Sequence, residues 1–217
     1  MQEVLTIDFR RPVPVFPLPD CVLFPHTLLP LHIFEPRYRQ LVTEALDDVG
    51  LIAMGLFEGT VSEEEYLRGS PKLRPWVCVG LVRSYEKSSD GRFVLLVQGI
   101  CRARLLKEVP HEPYRTFTVE PADTMPQPDD TFGDFRDRIA SLVQDAALDG
   151  VAAIKKAREH LEAAQPVVAM IDNMLSELVS DSEERYTMLA ETDATARAQW
   201  LVEYMETLRD RAAGSSP

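Results

Sequence analysis

The imidazoles and thiols, the side chains most suited to ligate zinc, are few: His26, His32, His111 and His160, and Cys21, Cys78 and Cys101, within 217 residues. A zinc site needs three or four such ligands at short, characteristic spacing. None of the histidines stands at that spacing from a cysteine or carboxylate, so no metal and no cofactor is expected. His26 and His32 share a proline-rich segment and read as loop histidines held by hydrogen bonds. The cysteines are odd in number and far apart, the usage of reduced thiols in a cytoplasmic protein. Each reads as a small buried hydrophobe. No glycine precedes a lysine, which excludes the Walker phosphate-binding loop. Neither a Gly-x-Ser-x-Gly elbow nor a His-Glu-x-x-His zinc helix is present. No catalytic residue and no enzymatic activity is therefore expected.

The elements that would carry other work begin at residues 13 to 38. Pro14, Pro17, Pro19, Pro25, Pro30 and Pro36 punctuate an otherwise apolar stretch. Proline has no amide hydrogen, so this cannot be one long helix. The spacing predicts strands at Val13 to Phe16 and Leu28 to Phe34, with turns at Leu18-Pro19-Asp20 and at Pro25. Pro36 suits the first position of a helix. Tyr38, Leu41, Val42, Ala45 and Val49 then follow at helical spacing. Glu35 and Arg37 flank that proline and read as charges suited to a helix start.

Further strands are expected at Leu51 to Phe57, Val77 to Glu86, Arg92 to Gln98, Cys101 to Leu106 and Tyr114 to Glu120. Asp90-Gly91 supplies a tight hairpin turn between the second and third of these. Phe93 to Val97 is apolar without alternation, which predicts a strand covered on both faces. Gly99 marks a bulge or corner. Beyond it, Cys101, Ala103 and Leu105 are expected inside, with Arg102, Arg104 and Lys107 as an exposed basic stripe. Glu58 to Trp76 has no clear period and reads as a long loop, of the kind that is often functional. Tyr66, Leu67 and Trp76 within it are the candidate partner-binding residues. Deleting Ser62 to Leu73 should then abolish capture of a partner and leave thermal stability nearly intact.

Residues 121 to 130 carry prolines among polar residues and read as an edge or linker. Helices follow. One is built on Phe132, Phe135, Ile139, Leu142, Val143 and Ala146 and ends near Gly150. A second runs from Ala152 to Ala164, and a third presents Val167, Met170, Ile171, Met174, Leu175 and Leu178. Ser180 and Glu183 have capping-box spacing for a fourth, ending near Ala190. Asp193 caps the last, with Leu201, Tyr204, Met205 and Leu208 on one face. The methionines read as core filler. The organisation is a β-rich unit over 1 to 122, a linker over 123 to 130, a helical unit over 131 to 213 and a frayed tail over 214 to 217.

Composition narrows the partners. The chain is 45% hydrophobic and 27% charged, ordinary for a soluble globular protein. Its formal charge of −12 argues against nucleic acid and anionic membranes, which need clustered lysine and arginine. The start has no basic region followed by an apolar run, and no apolar run approaches membrane-spanning length.

Phe16-Pro17-Leu18-Pro19, Leu23-Phe24-Pro25 and Pro30-Leu31-His32-Ile33-Phe34-Glu35-Pro36-Arg37-Tyr38 together resemble the start of the Lon protease amino-terminal domain. A second block is similar to the same family: Val79-Gly80-Leu81-Val82, Asp90-Gly91-Arg92 and Val94 through Leu105. Gln98 stands where the family commonly has an acidic residue. The resemblance covers nearly the whole chain. It implies an α+β fold, with an amino-terminal β-rich, PUA-like pseudo-barrel followed by a carboxy-terminal helical bundle. It further implies a stand-alone protein-binding or adaptor module without the family's ATPase and serine-lysine protease modules. The partners it implies are other proteins or unfolded polypeptide segments; the oligomeric state is left open. Two rival readings are an enzyme or small-molecule binder using a pocket between the halves, and RNA binding. The latter would need Arg92, Arg102, Arg104, Lys107 and Arg115 on one face.

Overall fold

The computed structural model describes residues 7–122 and 128–214. Two compact units are present, Met1–Ala122 and Asp123–Pro217. The expected linker falls largely, and the tail beyond Gly214 wholly, outside the described residues. Residues 129 and 130 belong to a short 3-10 turn, Asp129–Phe132.

The first unit holds six strands: β1 (Val13–Leu18), β2 (Leu28–Ile33), β3 (Leu51–Leu56), β4 (Trp76–Lys87), β5 (Phe93–Val109) and β6 (Arg115–Pro121). β1 pairs in parallel with β3 and antiparallel with β6. β3 pairs with β4, β4 with β5, and β5 with β6, all antiparallel. Those five pairings close a ring, which is the pseudo-barrel. β2 stands outside it, added to the first half of β5. The interior is filled by Val13, Val15, Ala53, Val77, Val79, Cys101, Ala103, Phe117 and Val119, the inward members of alternating pairs. α1 (Pro36–Asp47) starts at its proline and lays Tyr38, Leu41, Val42 and Ala45 into the core. The second face of β3 is buried as well, so all six of its residues are.

Two expectations about β5 are corrected. Phe93, Leu95 and Val97 are buried, but Val94 is exposed, so the first half of the strand is covered on one face only. Arg102, expected on an exposed stripe, has no solvent exposure. The segment Val22–Phe24 is buried as well and runs beside β5 at Gly99. The Arg102 guanidinium carbon lies 5.9 Å from the Phe24 ring centroid. Gly99 permits this approach. A Cβ on it would stand 2.0 Å from the Phe24 carbonyl oxygen. The approaching chain is bonded to it in both directions, His26 N–H to Gly99 O and Gly99 N–H to Thr27 O, each at 2.9 Å. The expected corner at Gly99 is thus a close approach of two backbones, next to a bulge at Ile100 of β5, where Val79 and Gly80 face Cys101 and Gly99.

The second unit is helical: α3 (Gly133–Val143), α4 (Ile154–Glu162), α5 (Val167–Leu178), α6 (Ser182–Ala190) and α7 (Ala194–Gly214). α3 ends earlier than expected, and a short 3-10 turn at Ala146–Leu148 buries Leu148 in place of Ala146. α5 opens after Pro166, which offers no side-chain cap, and Asp129 instead accepts the Val167 N–H at 2.9 Å. The cap of α6 is Asp181, accepting from Glu184 N–H at 2.9 Å, one residue beyond the Ser180 expected. Met170, Met174 and Met205 are buried, as core filler should be. Asp172 on α5 and Arg197 on α7 form a wholly buried ion pair at 3.2 Å.

Candidate functional site

β2 is an edge strand whose outer face carries exposed apolar side chains among polar ones. Its inward residues, Leu31 and Ile33, are buried with Phe93 and Leu95 of β5. The outward residues Leu28, Pro30 and His32 stand opposite Gln98, Leu96 and Val94. Ser84 and Glu86 of β4 continue the same face. The bond from Gly99 N–H to Thr27 O sets the ladder's phase. By alternation, Leu29, Leu31 and Ile33 bond to β5, while the peptide groups of Leu28, Pro30 and His32 turn to the open edge. Pro30 therefore sits where its missing donor harms nothing inside the sheet and interrupts pairing outside it. What remains for contact is side chains. Leu28 is 56% exposed, Val94 48% and Phe34, just past the strand, 60%.

The loop expected over Glu58 to Trp76 contains a helix, α2 (Glu63–Arg68). Its start is a full capping box. Ser62 Oγ accepts from Glu65 N–H at 3.3 Å, and Glu65 Oε2 accepts from Ser62 N–H at 3.0 Å. The signal, Ser-x-x-Glu, was present in the sequence. Tyr66 packs edge-on against Phe57, with ring centroids 5.8 Å apart. Its hydroxyl donates to Glu35 Oε1 at 2.5 Å. Arg37 Nη1 donates to Tyr66 O at 2.9 Å, and Arg37 Nε to Glu35 Oε2 at 3.1 Å. The same guanidinium lies over both the Tyr38 and Tyr66 rings, 4.6 and 4.5 Å from their centroids. Burial first, and then the bond to Glu35, raise the Tyr66 phenol above its usual range. Burial does the same for Tyr38. Both rings stay neutral donors at physiological pH.

The three candidate residues differ in their surroundings. Tyr66 is half-buried and tethers α2 to the start of α1. Leu67, one residue along, is 58% exposed. Trp76 is half-buried and stands in register with Arg104 at the start of β4, so it belongs to the sheet and not to the helix. The Glu35–Tyr66 bond places Phe34 and Leu67 each one residue from a shared anchor. Leu28, Phe34 and Val94 were missed as candidates. The signal was the alternation across Leu28, Pro30 and His32 on a strand whose proline marks an edge.

Two further expectations change. The segment Ser62 to Leu73 is no dispensable excursion. Leu73 is buried and bridges to Phe57, Glu58 N–H donates to Lys72 O, and Arg115 Nη1 donates to Pro71 O. The five basic residues weighed for an RNA face do not share one, because Arg102 is buried. Arg92 pairs with Asp90 and Arg115 with Glu108. Among the described residues, no three histidines, cysteines or carboxylates converge as a metal site. No described helix is long and apolar enough to cross a membrane.

Known proteins place this arrangement in a lineage. The chain is 18% identical to a Lon N-terminal domain protein from Xanthomonas campestris, with a TM-score of 0.61 over 90% of this chain and 99% of that one. It is 13% identical to the N-terminal domain of a Mycobacterium avium complex Lon protease, with a TM-score of 0.63 over 90% and 98%. These likenesses establish the fold. In sequence it is 34% identical over 123 residues to the Lon protease of Lawsonia intracellularis, matching 54% of this chain and 14% of that protein. It is 25% identical over 217 residues to Lon protease 2 of Myxococcus xanthus, matching 94% and 24%. The chain thus spans a quarter or less of these curated relatives. The model of the ATP-dependent protease La (LON) substrate-binding domain matches residues 12–207, and the chain belongs to that family.

Proposed function

We propose that the β-rich unit is a protein-binding module that captures extended, apolar segments of other proteins along the outer face of β2 and the exposed side of α2. The observation that carries this reading is the exposure of Leu28, Phe34, Val94 and Leu67 around one sheet edge and its anchored helix. Exposed apolar side chains gathered in this way are characteristic of interaction sites. Pro30 interrupts the edge, so side-chain burial, and not continuous strand addition, supplies the affinity. The module acts by binding alone, as an adaptor without proteolysis or ATP hydrolysis, and without a cofactor. It serves in a reducing cytoplasm, where its three thiols are kept.

The test uses the full chain and a fluorescein-labelled, reduced and carboxymethylated α-lactalbumin, read by anisotropy, with the native protein as control. The unfolded form should bind and the folded form should not. Replacing Leu28, Phe34 and Leu67 together by serine removes about 1 kcal/mol of apolar burial each, which weakens binding by about a hundredfold. Equal binding by the triple variant would exclude this surface.

A further inference from the structure

A second feature of the first unit lies away from β2. The residues before β1, the end of α1 and the turn between β5 and β6 enclose a cleft of about 520 Å³. That volume falls within the range of small-ligand sites, roughly 300 to 1,000 Å³. Pro12, Pro14, Val49, Leu51, Val109 and Pro110 give it largely apolar walls. Its polar groups converge on Glu44. Tyr114 donates its hydroxyl to Glu44 Oε2, Gln40 Nε2 donates to Oε1 at 2.8 Å, and His111 Nε2 lies 3.4 Å from Oε2. The His111 and Tyr114 rings pack at 4.2 Å between centroids, so Tyr114 is held from two sides. A carboxylate fixed by partners on both oxygens, yet 41% exposed, is a preorganised acceptor facing solvent.

Three carboxylates line the cleft, Asp8, Glu44 and Asp48. Asp8 pairs with Arg10 at 2.8 Å and Asp48 with Arg11 at 2.9 Å, whereas the partners of Glu44 are Tyr114, Gln40 and His111. Independently of these side chains, the cleft lies at the carboxy-terminal end of α1. The last carbonyls of a helix lack intrahelical partners and carry the negative end of its dipole, where basic residues are favoured. The last turn of α1 has none. The Tyr114 hydroxyl bond, the Gln40 bond and His111 together hold Glu44 below the usual carboxylate range.

We infer that this cleft binds an organic cation borne on an apolar stem, the chemistry of an arginine or lysine side chain. The stem packs on the proline and valine walls, as such side chains do on apolar surfaces. The charged head meets the remaining acceptor capacity of Glu44, at the negative end of the α1 dipole. The source is either a basic residue of a bound protein segment or a free amine. Only the first of these rests on the protein-binding reading.

The experiment is an amide-correlation NMR titration of the full chain with three probes: acetyl-Leu-Arg-Leu amide, the same peptide with citrulline for arginine, and agmatine. The arginine peptide should shift the Glu44, Val49 and His111 signals saturably, and the neutral citrulline peptide should not. Glu44→Gln should weaken binding on the order of tenfold, the loss of one charge-assisted hydrogen bond. Val49→Lys, at an exposed position of the wall, should occupy the cleft with its own cation and give the same loss while Glu44, Gln40, His111 and Tyr114 are all retained. Saturation by agmatine alone would assign the free amine as the source. Equal shifts from the citrulline peptide, no saturable shift from any probe, or unchanged binding in both variants would overturn the inference. The Leu28, Phe34 and Leu67 serine variant should bind these probes normally, so failure of the capture surface and failure of the cleft are read separately.

Discussion

Gly99→Ala probes the close approach of two backbones in the β-rich unit. The new Cβ would lie 2.0 Å from the Phe24 carbonyl oxygen, 2.8 Å from its carbon and 3.1 Å from Cys78 Sγ. The nearest two are backbone atoms, so relief needs the Val22–Phe24 segment to retreat by about 1.5 Å, to ordinary van der Waals contact. That movement stretches the two bonds joining Gly99 to His26 and Thr27, each at 2.9 Å and each worth about 1 kcal/mol. It also loosens Phe24, which has no exposure and contributes roughly 1 to 3 kcal/mol by its burial. The expected loss is about 3 to 5 kcal/mol. Each unit holds one of the two tryptophans, Trp76 and Trp200. In a Trp200→Phe background, urea unfolding followed by Trp76 fluorescence reports the first unit. With a slope of about 1.5 kcal/mol per molar urea, the midpoint should fall by roughly 2 to 3 M. Gly59→Ala is the control. Its φ is +75°, but its added Cβ would meet nothing within 4 Å, so it costs about 1 kcal/mol through backbone strain alone. A Gly99→Ala shift no larger than the Gly59→Ala shift would refute the close-approach argument.

Other outcomes follow from the same contacts. Asp172→Ala leaves the Arg197 charge buried and should cost about 3 to 5 kcal/mol, whereas the double replacement of Asp172→Leu with Arg197→Met should recover most of it; Trp200 fluorescence is the readout. Deleting Ser62 to Leu73 should lower the unfolding midpoint of the first unit markedly, while Leu67→Ser should leave it within about 0.5 kcal/mol of the parent. Ser62→Ala removes one side of the capping box and should cost about 1 kcal/mol, seen as faster hydrogen exchange confined to α2. Glu44 should titrate below an ordinary glutamate, and Tyr114→Phe should move its midpoint upward. Because the folded state lowers this pKa, its contribution to stability is present above the ordinary glutamate range and is lost as pH falls through the folded value. A Glu44 midpoint unchanged by Tyr114→Phe would remove the hydroxyl bond as the main cause.

Much of the architecture was legible because backbone chemistry announces itself in residue type. Pro36 marked the start of α1, Asp90-Gly91 the hairpin, and the faces of α5 and α7 their helical period. Other features depend on what packs against a surface, which no local pattern records. Arg102 alternates with the inward Cys101 and Ala103, yet it is buried, with the Phe24 ring 5.9 Å from its guanidinium. Phe93 to Val97 is apolar throughout, yet Val94 is exposed, because β2 lies beside β5 and not over it. The helix α2 was readable from Ser62 and Glu65 and was obscured by the lack of apolar periodicity in only six residues. Of the three residues read as a loop contact, Leu67 is exposed, whereas Tyr66 packs on Phe57 and Trp76 is paired within β4 and β5. Leu28, Phe34 and Val94 become a surface only when β2 is known to be an edge.

The most direct test of the capture surface is site-specific photocrosslinking of the full chain to the unfolded α-lactalbumin probe. Benzoylphenylalanine would replace Phe34, Leu67 or Val94 in turn, with Arg104, an exposed position on the second half of β5, as the control. The account predicts crosslinks from all three positions, competed away by unlabelled unfolded probe, and none above background from position 104. Crosslinking as strong from position 104 as from position 34, or none from any of the three, would contradict it.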